Sequence, residues 1–155
     1  MSGGALRYTC GHMAGYQKVL ILSDLSNDGD RVIIAGRDIA AYSSAAIVAL
    51  HVVEFVPVEP MGETLLPTMQ IEADLAARSR ERLGQLVARL GLKGARCRVE
   101  IGNTKAEILR VAAEERADLI VLGSRERHGL AILVNFTEDT VLHAAHCDVL
   151  AVRLN

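Results

Sequence analysis

The stretch DLIVLGSRERHGLAILVNFTEDT, residues 118–140, decides the fold because an unbroken aliphatic run meets a glycine and then a polar segment. A continuous run of Val, Ile and Leu indicates a strand that is buried on both faces, as in a parallel sheet. We predict a strand over residues 118–123, a loop that begins at Gly123, and a helix over about residues 137–145. This order is typical of an α/β domain.

The same alternation of short apolar runs with helical spacing extends along the chain. It predicts strands at residues 18–23, 45–53, 95–101, 118–123 and 148–154. Helices are predicted at about 30–42, 71–90, 104–116 and 137–145. A capping box from Thr104 to Glu107 is expected to open the third helix. A loop that contains three prolines, including Pro67, precedes the second helix. Right-handed crossovers through single helices then give one open, doubly wound parallel sheet in the order 3-2-1-4-5, with helices on both faces. The domain is expected to span residues 18–155, after a leader (residues 1–17) that is flexible or not native.

Composition excludes several classes of protein. The chain has 155 residues, a size typical of one domain, with 50% hydrophobic but only 3% aromatic residues. A net charge of -2 and a pI near 6.2 do not favour nucleic-acid binding. No apolar run reaches the roughly 18 residues of a membrane span and no secretory signal is visible, so we expect a cytoplasmic protein. The cysteines Cys10, Cys97 and Cys147 are expected to be reduced, and two of them to be buried.

The predicted strand order places two residues at a crevice. The winding reverses between strands 1 and 4, and ligands of open α/β sheets bind beyond the carboxyl ends of the strands at such a point. Asp24 follows strand 1, where its carboxylate can accept hydrogen bonds from a ribose hydroxyl pair or close an Asx turn among neighbouring serines. Gly123 follows strand 4 and either admits a ligand close to the backbone or is an ordinary glycine between strand and loop.

Four segments together resemble one family over nearly the whole chain from Lys18 onward. They are VLILSDLS (19–26), ALHVVE (49–54), GNTKAEILRVAAEERADLIVLGSRERHGL (102–130) and VLHAAHCDVLAVRL (141–154). The combined pattern resembles the universal stress protein A family, which implies an adenine nucleotide alpha hydrolase-like fold. In the nucleotide-binding branch of that family, a G-x2-G-x9-G-[ST] loop after strand 4 cradles ATP phosphates, the Asp after strand 1 contacts ribose, and the tip of strand 2 meets adenine.

Residue by residue, the resemblance makes Gly123 the first loop glycine, Thr137 the final hydroxyl, Asp24 the ribose contact and Val52 the adenine contact. The neighbouring candidates for nucleotide contact are Ser23, Leu122, Ser124, Arg125, Arg127 and Gly129. The chain departs from the motif at Glu126 and Phe136, which stand where glycines would expose backbone N–H groups to phosphate. Two unit charges about 4 Å apart at an effective dielectric near 20 repel by roughly 4 kcal/mol, which is an upper bound for Glu126 facing a triphosphate.

The sequence therefore predicts a stress-response protein without tight ATP binding and without an assembled catalytic set. The alternative is an adenine-nucleotide switch or slow ATPase that uses ATP or another adenine nucleotide with Mg²⁺. A flavin or nucleotide-dependent redox or transferase domain is disfavoured because no G-x-G-x-x-G follows the first strand. A zinc site from His143, His146 and Cys147 is also not expected, because no companion ligand pair has suitable spacing. His51, within an apolar run, is predicted to be a partly buried histidine with its hydrogen bonds satisfied.

The last strand predicts a partner surface. Strand 5 is an edge in the order 3-2-1-4-5, and it carries Val149, Leu150, Ala151 and Val152, with Arg153 as its charge against unwanted pairing. We expect an isologous homodimer through this strand, which is also what the family resemblance implies. Other protein partners are expected but cannot be named, and neither nucleic acid nor membrane is expected.

Overall fold

The alternating pattern folds as predicted in a computed structural model, which describes residues 15–54, 65–125 and 137–154. Within these ranges the elements are β1 (Lys18–Leu22), α1 (Asp30–Ser43), β2 (Ala46–Glu54), α2 (Leu65–Arg89), β3 (Arg96–Gly102), α3 (Thr104–Glu115), β4 (Leu119–Arg125), α4 (Thr137–Ala144) and β5 (Asp148–Leu154). All neighbouring strands pair in parallel, and the sheet order is β3-β2-β1-β4-β5. The predicted doubly wound α/β fold is therefore confirmed. None of the helices in these ranges combines the length and apolar character that crossing a bilayer requires.

The central strand β1 divides the core into two layers. Val19 and Ile21 are fully buried in one layer with residues of α1 and α2, while Leu20 is buried in the other with residues of α3 and α4. Successive side chains of a strand point to opposite faces, so an uninterrupted aliphatic run supplies both layers. Helix α1 lies very close to β1, since a Cβ on Gly36 would come within 2.6 Å of Ile21 Cδ1.

The start of α2 and the cap of α3 differ from the prediction. Helix α2 begins at Leu65, so Pro67, which was predicted to lie in a loop, falls in the first helical turn. Proline is tolerated there because the N–H it lacks has no partner within the helix. Helix α3 is capped by Asn103, whose side chain accepts a hydrogen bond from Ala106 N at 3.1 Å. The predicted capping box at Thr104 is wrong by one residue, because Asn is a stronger N-cap than Thr.

The described chain begins just before β1 and is bonded to the residues that start β4 and β5, at the same end of the sheet. Tyr16 Oη donates to Asp148 Oδ2 at 2.9 Å, and the backbone N–H groups of Gln17 and Lys18 donate to the two carboxylate oxygens of Asp118. Tyr16 and Gln17, which precede the predicted boundary at Lys18, are thus bonded to the residues that start β4 and β5. Residues 1–14 of the predicted leader, including Cys10, lie outside the described residues.

The two edge strands of the sheet carry different chemistry. On β3, Arg98 forms ion pairs with Glu100, Glu114 and Glu115, and Arg110 of α3 reaches Glu100 as well. Strand β5 lies at the other edge of the sheet with the predominantly apolar sequence DVLAVRL. Charged side chains protect an edge against pairing with another chain, so β3 is protected and β5 far less so.

The carboxylate at the end of α3 is enclosed by cations. Glu115 is buried and pairs with Lys18, Arg96 and Arg98. Burial raises the pKa of Glu115, but these cations outweigh burial and hold the pKa below its ordinary value. The carboxylate is therefore ionised at neutral pH and links β1, β3 and α3.

The cysteines are less buried than the sequence predicts. Cys97 and Cys147 are free thiols, as expected, but Cys97 is exposed and Cys147 is half-buried. Cys97 lies on β3, an edge strand of the sheet that the described residues form. The expectation of two buried thiols is therefore wrong, and for Cys97 the position on an edge strand accounts for the exposure.

Candidate functional site

A cavity opens at the carboxyl ends of β1, β2 and β4. Strand β1 pairs with β2 on one side and with β4 on the other, so the tips of β1 and β4 lie next to each other. The cavity has a volume of about 510 Å³, within the roughly 300–1,000 Å³ of small-molecule sites. Its lining residues are Leu22, Ser23, Asp24, Gly29, Val32, Leu50, His51, Val52, Glu54, Thr104, Ile108, Leu122, Gly123, Arg125, Thr137 and Leu154. The crevice thus lies where the strand order predicts it.

The loop after β1 is an Asx turn built on Asp24. Asp24 Oδ1 accepts hydrogen bonds from Ser26 N at 2.9 Å and from Ser26 Oγ at 2.6 Å. Burial raises the pKa of Asp24, but the hydrogen bonds from Ser26 and the contact with Arg125 outweigh burial and lower it. One of the two roles considered for Asp24, the Asx turn, is therefore present. It engages Oδ1, while Oδ2 faces the crevice side of the loop, where Arg125 lies.

Gly29 makes this turn compact, although the sequence did not single it out. A Cβ at this position would lie 2.6 Å from Asp24 Oδ1 and 3.1 Å from Ser26 O. Gly29 is also the N-cap residue of α1, and its backbone N–H bonds back to Ser26. A larger residue would push the carboxylate of Asp24 away from its turn.

Arg125 extends from the tip of β4 across the crevice to this loop. Its Nη2 donates to Asp24 Oδ2 at 3.3 Å and to Ser26 Oγ at 3.4 Å, while Nη1 lies 3.6 Å from Asp28 Oδ2. The three charged side chains are 44%, 50% and 61% exposed, so each contact is worth no more than about 1 kcal/mol. Arg125 was predicted as a neighbouring candidate for nucleotide contact, and here two carboxylates share its guanidinium.

Gly123 allows close packing between β4 and its neighbours. A Cβ on Gly123 would meet Leu154 Cδ1 at 2.8 Å and Val32 Cγ2 at 3.2 Å. Both neighbours are buried, and Leu154 pairs with Arg125 in the register of β4 and β5. Protein side chains therefore fill the space beside Gly123. This packing favours the role of an ordinary glycine between strand and loop over that of a glycine that admits a ligand.

His51 forms part of the crevice wall and is half-buried, as predicted. Its Nδ1 lies 2.8 Å from Ser23 O. A carbonyl oxygen only accepts, so Nδ1 carries the proton and Nε2 is an acceptor in the neutral ring. This hydrogen bond joins the tip of β2 to the tip of β1 and holds the two walls together.

The structure gathers most, but not all, of the residues predicted from the resemblance. Ser23, Asp24, Val52, Leu122, Gly123, Arg125 and Thr137 line the cavity, whereas Ser124 does not. Arg127, Gly129, Glu126 and Phe136 lie outside the described residues. The roles of all these residues in ligand binding stay predictions. Within the described ranges, no group of three or more His, Cys, Asp or Glu side chains has an arrangement suited to a metal ion, and this includes the segment with His143, His146 and Cys147.

Sequence reasoning missed the residues that reach the cavity from other elements. Thr104 and Ile108 come from α3, Glu54 from the last position of β2, and Leu154 from the last position of β5. Parallel register gives a usable signal for Leu154, since the carboxyl ends of all strands in a parallel sheet meet at one edge. Thr104 and Ile108 carry no such signal because the placement of α3 depends on tertiary packing.

Comparisons with known proteins agree with this fold. The model of the universal stress protein family matches residues 15–153. Universal stress protein A homolog 2 of Coxiella burnetii is 30% identical over 143 residues, which cover 92% of this chain and 98% of that protein. The universal stress protein UspA structure from Lactobacillus plantarum superposes with a TM-score of 0.75 at 24% identity, covering 90% of this chain and 99% of the other. A universal stress protein solved in complex with cAMP gives a TM-score of 0.71 at 20% identity, covering 91% and 99%.

The chain belongs to the universal stress protein family. The match covers nearly all described elements, from the residues just before β1 to β5. The family suggested by the four sequence segments is thereby confirmed.

Proposed function

We propose that this protein is a small cytoplasmic regulator of the stress response that acts as a homodimer through β5 and binds other proteins, without catalysis and without tight ATP binding. The observation that carries the ATP part of the proposal is the position of Arg125. It is the one cation among the described residues that line the crevice, and it is paired with Asp24 and Asp28. A triphosphate would have to displace both carboxylates and then place several negative charges beside them.

The dimer part of the proposal is supported by the contrast between the two sheet edges. Strand β5 offers Val149 to Val152, with Asp148 and Arg153 as its charged residues, whereas β3 forms ion pairs with α3. A second β5, antiparallel to the first around a two-fold axis, would pair the open edge and close the assembly. The same logic leaves β3 out of the interface.

The dimer is tested with one charged substitution on each edge. Ala151 is exposed at the middle of β5, so Ala151→Lys should leave the core intact. In the dimer, however, it would place two like charges near the two-fold axis. The matched control is Cys97→Lys, an exposed position on β3. Sedimentation equilibrium should show a dimeric parent, a monomeric Ala151→Lys protein and a dimeric Cys97→Lys protein. A monomeric parent, or equal loss of dimer in both variants, would contradict the β5 interface.

The absence of tight ATP binding is tested by titration with a fluorescent ATP analogue in the presence of Mg²⁺. We expect no saturable binding in the low micromolar range. Saturable binding in that range would remove this part of the proposal. It would leave the dimer untouched, because the dimer depends on β5 alone.

The second candidate is an adenine-nucleotide switch or slow ATPase that uses Mg²⁺ with ATP. It is supported by a cavity of adequate volume, by Thr137 at its wall, and by a relative of the same fold that is solved in complex with cAMP. Replacing both motif departures, Glu126→Gly with Phe136→Gly, should then create measurable ATP affinity. Unchanged, undetectable affinity in the double variant would eliminate this candidate.

A further inference from the structure

We infer that the crevice selects an uncharged nucleoside over its phosphorylated forms, and that Asp28 is a residue that sets this selectivity. The inference rests on the proposed function, because it names the ligand class of the same crevice. An uncharged nucleoside is a ligand that this crevice could bind even without tight ATP binding.

The walls of the cavity suit a flat ring with hydroxyl groups. Leu50 and Val52 from β2 and Ile108 from α3 give the cavity apolar surfaces. Such surfaces accept a planar ring by burying its faces. Asp24 and Glu54 lie on the same cavity and supply carboxylate oxygens, which accept hydrogen bonds from neighbouring hydroxyls. A nucleoside offers this combination of a ring and a vicinal hydroxyl pair.

The charges around the cavity disfavour a phosphate. Among the described residues that line the cavity, Asp24 and Glu54 are carboxylates and Arg125 is the one cation. Asp28 lies outside this lining and pairs with Arg125. The three carboxylates and the one guanidinium carry a formal net charge of -2. A phosphomonoester adds about -1.5 to -2 near neutral pH. A nucleoside adds none, so it enters without repulsion and leaves the contacts of Arg125 in place.

Asp28 affects selectivity without being part of the ligand surface. It is 61% exposed, and its carboxylate lies 3.6 Å from Arg125 Nη1. Asp24 faces the other nitrogen, Nη2, and keeps its hydrogen bonds to Ser26. Neutralising Asp28 therefore frees Nη1 for a phosphate and reduces the negative charge, while the Asx turn stays intact.

The test is calorimetric titration of the full chain with adenosine and with adenosine 5′-monophosphate. The matched control for Asp28→Asn is Asp38→Asn. Asp38 is 62% exposed, pairs with Arg37 at 2.8 Å and does not line the cavity. The two variants remove the same charge from similarly exposed ion pairs. Both should fold, since pairs of this kind contribute little to stability.

The parent protein should bind adenosine at least about tenfold more tightly than the monophosphate, a difference of about 1.4 kcal/mol. Asp28→Asn should increase monophosphate affinity on the order of threefold, as expected for one exposed charge, and leave adenosine affinity unchanged. Asp38→Asn should change neither affinity.

Three outcomes would overturn the inference. They are equal or tighter binding of the monophosphate by the parent protein, an equal gain in both variants, and no adenosine binding at millimolar concentration. The last outcome would leave the proposed dimeric function standing. Low micromolar binding of ATP, measured separately, would instead refute the ATP part of the proposed function.

Discussion

Replacing Gly123 with alanine tests whether this glycine is required for the packing of β4 against Leu154 and Val32. The new Cβ would lie 2.8 Å from Leu154 Cδ1 and 3.2 Å from Val32 Cγ2, and these neighbours are only 5% and 2% exposed. Overpacking a buried site costs about 1–3 kcal/mol. Gly→Ala also gains about 0.4–1 kcal/mol by restricting the unfolded chain. We therefore expect Gly123→Ala to lower the free energy of unfolding by about 1–2 kcal/mol.

The control for this prediction is Gly84→Ala in α2, where a Cβ would meet no atom within 4 Å. It should raise stability by about 0.4–1 kcal/mol, because only the unfolded-state gain remains. In thermal unfolding at equal protein concentration, each kcal/mol corresponds to roughly 2–4 °C for a chain of this size. Gly123→Ala should thus melt about 2–8 °C below the parent protein and Gly84→Ala slightly above it. If Gly123→Ala is as stable as Gly84→Ala, the packing argument is refuted.

Three further predictions concern the cap of α3, the buried carboxylate of Glu115 and the Arg125 contacts. Asn103→Ala should lower the free energy of unfolding by about 0.5–2 kcal/mol through loss of the α3 cap, as measured by denaturant unfolding. Thr104→Ala should lower it by less. The reverse order would support the capping box at Thr104. The pKa of Glu115 is lower in the folded state than its ordinary value of 4.5, so its contribution to stability is present above about pH 4.5 and is lost as pH falls through the folded pKa. Glu115→Gln should accordingly flatten the loss of stability with acid, and an unchanged slope would contradict this. Arg125→Gln should change the free energy of unfolding by less than about 1 kcal/mol, since its partners are half exposed. A larger loss in the same unfolding measurement would mean that the Arg125 contacts stabilise the fold.

Much of the fold could be predicted because local pattern and global topology agree. The aliphatic run at 118–123 and the helical spacing after Asn103 each define one element, and short connections leave one natural strand order. Element ends were less predictable. Strand β4 extends to Arg125 because β5 continues the ladder beside it, with Ser124 opposite Arg153. A single sequence carries no local signal for that extension.

The site could be predicted only in part, for a related reason. Asp24 and Gly123 follow strands, so topology alone brings them to one crevice. The sequence does not show that Arg125 turns toward Asp24 and Asp28, because this contact joins residues about 100 positions apart. Nor does it show that the space beside Gly123 is filled by Leu154. Both features depend on side-chain packing, which periodicity does not encode.

The most direct measurement of the central claim is to identify what the crevice holds when the protein is purified. The protein is denatured, the precipitate is removed, and the supernatant is analysed by mass spectrometry for ATP and other nucleotides. Because Arg125 is shared by two carboxylates and the described charges around the crevice are mainly negative, we predict that no ATP accompanies the chain in stoichiometric amount. ATP recovered at close to one molecule per chain would contradict the account.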